Sequence, residues 1–125
     1  MTRKFSSTSV ETTLASGINS SVTSMTVASG TGSALLGGVT LASGNVDQFT
    51  VALDPDTTSE EIVFITASAA DTFTIVRGQA GTSQISHSAG ATVKHVLTSD
   101  DLNAFEAGLD SGSSGTLSVL MFMGG

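Results

Sequence analysis

No cysteine occurs among the 125 residues, so disulfides, thiolate-bound zinc, iron–sulfur clusters and thiol nucleophiles are excluded together. Tryptophan and tyrosine are also absent, which removes the stacking platforms that a carbohydrate-binding module would present. A single proline leaves no basis for a polyproline or collagen-like chain. Four basic residues stand against eleven acidic ones, for a formal charge of −7. A nucleic-acid backbone needs clustered Lys and Arg, so nucleic acid is not an expected partner. The longest apolar run, Val119 to Met123, is far below the roughly 20 residues of a membrane-spanning helix, and no membrane partner is expected. Met1 to Phe5 passes straight into Ser6-Ser7-Thr8-Ser9 without an apolar stretch, unlike a secretory leader. A soluble protein is expected.

What remains is small and rich in hydroxyl groups. Ser and Thr together make up about 30% of the chain, apolar residues 39% and charged residues 12%, the last about half the usual share for globular proteins. With 14 glycines, turns are built by Gly, Asn, Asp and Ser. The length suits one domain.

Residues 1–11 are polar and without periodicity, which predicts a flexible N-terminal arm that orders on a neighbour through Phe5 and Val10. Residues 12–110 form the expected β domain. Short β-prone runs at Thr12 to Ser16, Ser21 to Ala28 and Val39 to Ala42 are separated by small residues. The stretch Gly30 to Gly38 is expected to be a loop in which little packs. Gln48 to Leu53 alternates, with Phe49, Val51 and Leu53 on one face, and predicts a half-buried antiparallel strand.

Asp54 to Ser59 is a turn, and Glu61 to Ala67 and Thr72 to Arg77 are the clearest strands, joined by Ser68 to Asp71 as a hairpin loop. Ile62 to Ile65 is apolar on both faces, which places its strand at the sheet centre. Ala91 to Leu97 predicts another strand. Thr98-Ser99-Asp100-Asp101 then supplies a capping hydroxyl with acids in the first turn. Leu102, Phe105 and Leu109 follow at helical spacing, so a helix is expected to Asp110. Residues 111–125 comprise a Gly/Ser linker and an apolar strand. In that strand Leu117, Val119, Leu120, Met121, Phe122 and Met123 are apolar on both faces, as an intersubunit element would be.

Catalytic chemistry finds no foothold. A serine nucleophile would need His87 or His95 as its base, but Ser86-His87-Ser88 directs adjacent side chains apart and no Gly-x-Ser-x-Gly elbow exists. His87 is instead expected to bond turn backbone. The glycines of Gly30 to Gly38 lack the Lys-Ser/Thr of a phosphate-binding loop. Asp54, Asp56, Glu60 and Glu61 cluster, yet the spacing puts Ser59 and Ile65 where a calcium loop needs Gly and Glu. No catalytic residue, cofactor or metal ligand is assigned.

Glu60-Glu61-Ile62-Val63-Phe64-Ile65-Thr66, Thr72 to Thr82 with Arg77-Gly78-Gln79-x-Gly81-Thr82, and His87-Ser88-Ala89-Gly90-Ala91-Thr92-Val93 together resemble a small β module of tailed-bacteriophage virion structural proteins. The likeness covers about Thr12 to Leu97. It implies a non-enzymatic virion component that assembles with copies of itself and with neighbouring virion proteins. A tail, tail-tip or fibre-attachment part is favoured over a capsid decoration (cement) protein, with a carbohydrate or receptor-binding module as a further alternative. The motif residues Arg77, Gly78, Gly81, Thr82, His87 and Gly90 are expected to build a rigid corner, with Arg77 forked onto Glu60 or Glu61. The expected fold is mainly β, a small antiparallel sandwich or barrel with one C-terminal helix and extended terminal arms.

Overall fold

The computed structural model describes residues 2–42, 44, 46–99 and 101–103. In chain order the elements are β1 (Thr2–Lys4), β2 (Thr12–Thr13), β3 (Ser24–Thr26), α1 (Gly32–Leu36), β4 (Asp47–Leu53), β5 (Glu61–Ala69), β6 (Thr72–Gln79) and β7 (Thr92–His95). The strands join one curled sheet in the order β2-β7-β4-β5-β6-β3, antiparallel throughout, with β1 added parallel to β4. Its two ends meet. Leu14 bridges Val27, Ala15 N–H donates to Thr26 O and Ala28 N–H donates to Thr13 O. A single β-bridge thus joins the ends of the two edge strands.

The mainly β, antiparallel character follows from the β-branched and aromatic runs of β4, β5 and β6. Along β6 the alternation is strict, and Phe73, Ile75 and Arg77 face inward. Phe49, Val51 and Leu53 of β4 and Val63 and Ile65 of β5 join them with Leu14, Met25 and Val27 in the core. At about 1.5–3 kcal/mol for each fully buried large apolar side chain, this cluster is the main stabilising term. As expected, β5 is central, lying between β4 and β6.

Five expectations are corrected. Residues 2–11 lie along their own domain: β1 pairs with β4, Ser6 Oγ donates to Gly37 O, and Ser9 Oγ donates to Leu35 O. Phe5 and Val10 stay exposed, and backbone and hydroxyl hydrogen bonds hold the arm instead. Val39 to Ala42 is not a strand; Val39 and Leu41 pack against the core from irregular backbone. The glycine-rich stretch contains α1, which buries Leu35 and Leu36. β4 is buried along its whole length rather than on one face, because the chain after β7 folds over its polar face and the Asp101 carboxylate accepts from Thr50 Oγ1 there. The β5–β6 hairpin closes over two residues, Ala70 and Asp71, since Ala69 pairs with Thr72.

That tight turn explains α1. The Asp71 carboxylate accepts hydrogen bonds from Gly30 N and Gly32 N, both at 2.9 Å, supplying acceptors for otherwise orphaned N–H groups at the start of a helix. These two bonds hold the Asp71 carboxyl below its usual range. Gly37, with φ of 55°, ends the helix in the left-handed conformation. Of the helix expected from Thr98, only the start lies within the described residues. Thr98 N and Oγ1 both donate to Asp101 Oδ2, and Asp101 N donates back to Thr98 Oγ1, a reciprocal cap. Phe105 and Leu109 lie outside the described residues.

Gly32 sits so close to the hairpin that a Cβ there would be 2.3 Å from Ala70 O. Gly32→Ala gains at most about 1 kcal/mol of helix propensity and incurs an overpacking cost of about 1–3 kcal/mol. Urea unfolding should therefore show net destabilisation, whereas a gain in stability would contradict the close packing.

Candidate functional site

The inward register of β6 places a charged residue where a core residue would stand. Arg77 continues the Phe73 and Ile75 face, and its side chain is 2% exposed. A buried guanidinium must find partners for its donors. Glu61, the first residue of β5 and completely buried, provides them. A register shift in the β5–β6 ladder between Ile62 and Phe64 falls opposite this position and re-aims the strand there. Arg77 Nε donates to Glu61 Oε2 at 2.8 Å and Nη2 to Oε1 at 2.9 Å, a two-pronged fork. Nη1 donates to Asn19 O and Val22 O, each at 2.8 Å, and Nη2 also donates to Ile85 O at 2.6 Å. All five guanidinium donors are used.

Glu61 is held as fully. Besides the fork, its oxygens accept from Gly78 N at 2.9 Å, Ile85 N at 3.2 Å and His87 Nε2 at 2.9 Å. Burial pushes the Glu61 carboxyl up, but the bonds from Arg77, His87, Gly78 and Ile85 together outweigh it and lower it to about 2. The other ring nitrogen of His87, Nδ1, lies 2.8 Å from Asp54 Oδ2. Both nitrogens thus face carboxylates, and ionised carboxylates only accept.

The glycines make the geometry accessible. Gly78 and Gly81 have φ of 59° and 80°, in the left-handed region that suits glycine, and turn the chain out of β6. Thr82 locks this exit: its Oγ1 accepts from Ile62 N and donates to Gln79 O. Gly90, at φ of 90°, turns the chain after His87, and its N–H donates to Leu14 O. The fork partner of Arg77 is thus Glu61, not Glu60. His87 is also corrected, because its ring engages two carboxylates rather than turn backbone. The Asp54–His87 contact spans 33 positions, and no local pattern announces it.

Arg77, Gly78 and His87 therefore meet at Glu61, with Thr82 bonded to the adjacent Ile62, in one corner whose charged side chains are buried except at Asp54, 28% exposed. With both ring nitrogens of His87 engaged, neither is free to serve a neighbouring serine as base. Among the described residues no group of three or more His, Asp or Glu side chains is placed to hold a metal ion. No helix among them is long and apolar enough to cross a membrane.

The interaction residues expected from the sequence lie elsewhere. Phe5 is 39% and Val10 57% exposed; Leu117, Val119, Leu120, Met121, Phe122 and Met123 fall outside the described residues. Behind Phe5 a second ion pair fastens the N-terminal segment, with Arg3 Nη1 2.6 Å from Asp101 Oδ1. Burial pushes the Asp101 carboxyl up, but bonds from Thr98, Arg3 and Thr50 hold it below its usual range. His95 stacks on Phe49, donates from Nδ1 to Thr50 O at 2.7 Å, and accepts at Nε2 from Ser6 N.

No protein-family model matches the chain, and no curated protein matches it in sequence.

Two outcomes follow from the corner. Arg77→Ala should lower unfolding free energy by about 3–5 kcal/mol, because it leaves Glu61 buried without its counter-charge; Arg77→Lys should recover only part, since an ammonium cannot reproduce the fork. The second concerns acid. A carboxyl lowered from 4.5 to about 2 on folding stabilises fully above about pH 4.5, and that contribution is lost as pH falls through this window toward 2. Glu61→Gln should thus be less stable near neutrality and show a shallower loss across the window. Equal slopes for the two chains in denaturant titrations at stepped pH would contradict it.

Proposed function

We propose that the protein is a non-enzymatic structural component of a tailed-bacteriophage virion, acting through assembly with copies of itself and with neighbouring virion proteins. The reading rests on the likeness of Thr12 to Leu97 to a virion β module. The observation that carries it furthest is the fate of the motif residues. Arg77, Gly78, Thr82 and His87 spend their polar groups on Glu61, Asp54 and backbone, as a load-resisting scaffold would. Activity then belongs to surfaces, by contact rather than chemistry. In this proposal the curled sheet is the body of a small barrel, and the helix begun at Thr98 continues to Asp110.

Within the particle, a tail, tail-tip or fibre-attachment position is preferred over capsid decoration. A carbohydrate-binding role is disfavoured by the absence of Trp and Tyr. Symmetric rings of subunits need self-complementary or head-to-tail surfaces, and the chain offers apolar side chains outside its core at Phe5, Leu97 and Leu102.

The decisive experiment is quantitative mass spectrometry of purified particles together with gold labelling of the chain. A copy number of one or a few rings, with label at the tail, is expected. Copy numbers matching the capsid lattice, with label over the head, would replace this position by capsid decoration. Absence from purified particles would overturn the virion reading.

A further inference from the structure

The turn between β4 and β5 holds the chain's single proline, in the dipeptide Asp54-Pro55. Such a bond has two intrinsic weaknesses. The Asp side chain can close a five-membered ring on its own backbone carbonyl carbon, an intramolecular attack favoured by proximity. The nitrogen beyond it belongs to a tertiary amide and leaves as a secondary amine once it gains a hydrogen. The fold adds to both. Asp54 has φ of 51°, in the left-handed region that non-glycine residues enter at a cost. Its backbone O, where charge develops during attack, accepts from Thr57 Oγ1 at 2.7 Å, the place of an oxyanion donor. Asp54 Oδ2 lies 2.8 Å from His87 Nδ1, and His87 Nε2 is anchored 2.9 Å from Glu61 Oε1. A ring that can pass a hydrogen is thus oriented by a third group. Burial of Arg77 does not require this contact, since its five donors are met without Asp54. The Asp54 side chain also stays open to water, at 28% exposure.

We infer that the protein cuts its own backbone between Asp54 and Pro55, a single self-directed event that lies beyond the assembly reading above and does not depend on it. Asp54 Oδ1 attacks the Asp54 backbone carbonyl carbon, forming a C–O bond and a tetrahedral centre whose oxygen keeps the Thr57 hydrogen bond. As the carbonyl re-forms, the C–N bond to Pro55 breaks, and the departing nitrogen takes up the hydrogen shared between His87 Nδ1 and Asp54 Oδ2. The products of this step are a cyclic anhydride at Asp54 and the free secondary amine of Pro55. Water then opens the anhydride. Its OH adds to one acyl carbon, the other acyl group leaves as carboxylate, and the second hydrogen of the water returns to His87 Nδ1. In balance, one water is consumed and one amide bond is hydrolysed, with no oxidant, reductant or further reactant.

The test incubates full-length protein in near-neutral buffer and follows it by intact-mass spectrometry, with the same chain held unfolded in urea at the same pH as background. The expected result is a pair of fragments, residues 1–54 and 55–125, formed at a rate on the order of 10²-fold above that background, the contribution of one positioned general acid. The rate should be first-order and independent of protein concentration, and in oxygen-18 water fragment 1–54 should gain one labelled oxygen. Asp54→Gly keeps access to the left-handed conformation but removes the nucleophile, and should abolish the excess. His87→Gln and Thr57→Val should each remove most of it, with circular dichroism showing that the variants are folded. Should His87→Gln unfold, Thr57→Val, on the exposed turn, carries the comparison. Absence of the fragments, a folded rate no higher than the unfolded one, or an excess that survives Thr57→Val overturns the proposal. A rate constant that rises with protein concentration marks cleavage by a contaminating protease and overturns it as well.

Discussion

The guanidinium of Arg77 has five N–H donors and no acceptor, and burying it obliges the protein to bring five acceptor positions to one place. Those positions come from three stretches of chain that meet the Arg77 side chain: Asn19 and Val22 ahead of β3, Glu61 at the start of β5, and Ile85 in the segment leading to β7. None of these can shift without leaving a buried donor unpaired. The register shift of β5 against β6, the exit of the chain through Gly78, and the backbone bridge between His87 and Ile18 lie around that same guanidinium.

Such a network specifies geometry more than it adds net stability. Desolvating two charges roughly cancels their attraction, and a well-packed apolar pair of the same volume can do as well, whereas removing one partner is costly. The sheet's stability comes from the apolar cluster around Phe49, Val63, Ile65 and Phe73. The charged corner decides which way the chain runs at the end of that cluster. The corner holds the Glu61 carboxyl at about 2, while Phe5, Leu97 and Leu102 stay exposed outside the core.

The β-hairpin and its corner were legible because their signals are local and strong. β-branched runs mark β5 and β6, Gly78 and Gly81 mark the exit, and Thr98 with Asp101 marks a helix start. What was hidden depends on distant partners. α1 was invisible in Gly30 to Gly38 because small residues read as loop, and its first N–H group, that of Gly32, is held by Asp71, 39 residues away. β4 alternates like a half-exposed strand, and only the Asp101 segment folding over Thr50 reveals that its polar face is covered. The N-terminal arm has little to bury, so its docking by β1 and by hydroxyl bonds to α1 leaves no hydrophobic pattern to find. At the corner, the acid and base types were visible, but the bridge from Asp54 through His87 to Glu61 emerges only once the sheet has curled.

The dependence of the fold on the Arg77–Glu61 pair is measured most directly by a double-mutant cycle with Arg77→Met, Glu61→Leu and the double variant, read as unfolding free energies in urea. If the corner is a coupled unit, each single change is strongly destabilising. The double variant then regains much of the loss, with a coupling energy of about 1–3 kcal/mol or more. Additive effects of the two substitutions would show that the residues act independently and that the corner is not what organises the fold.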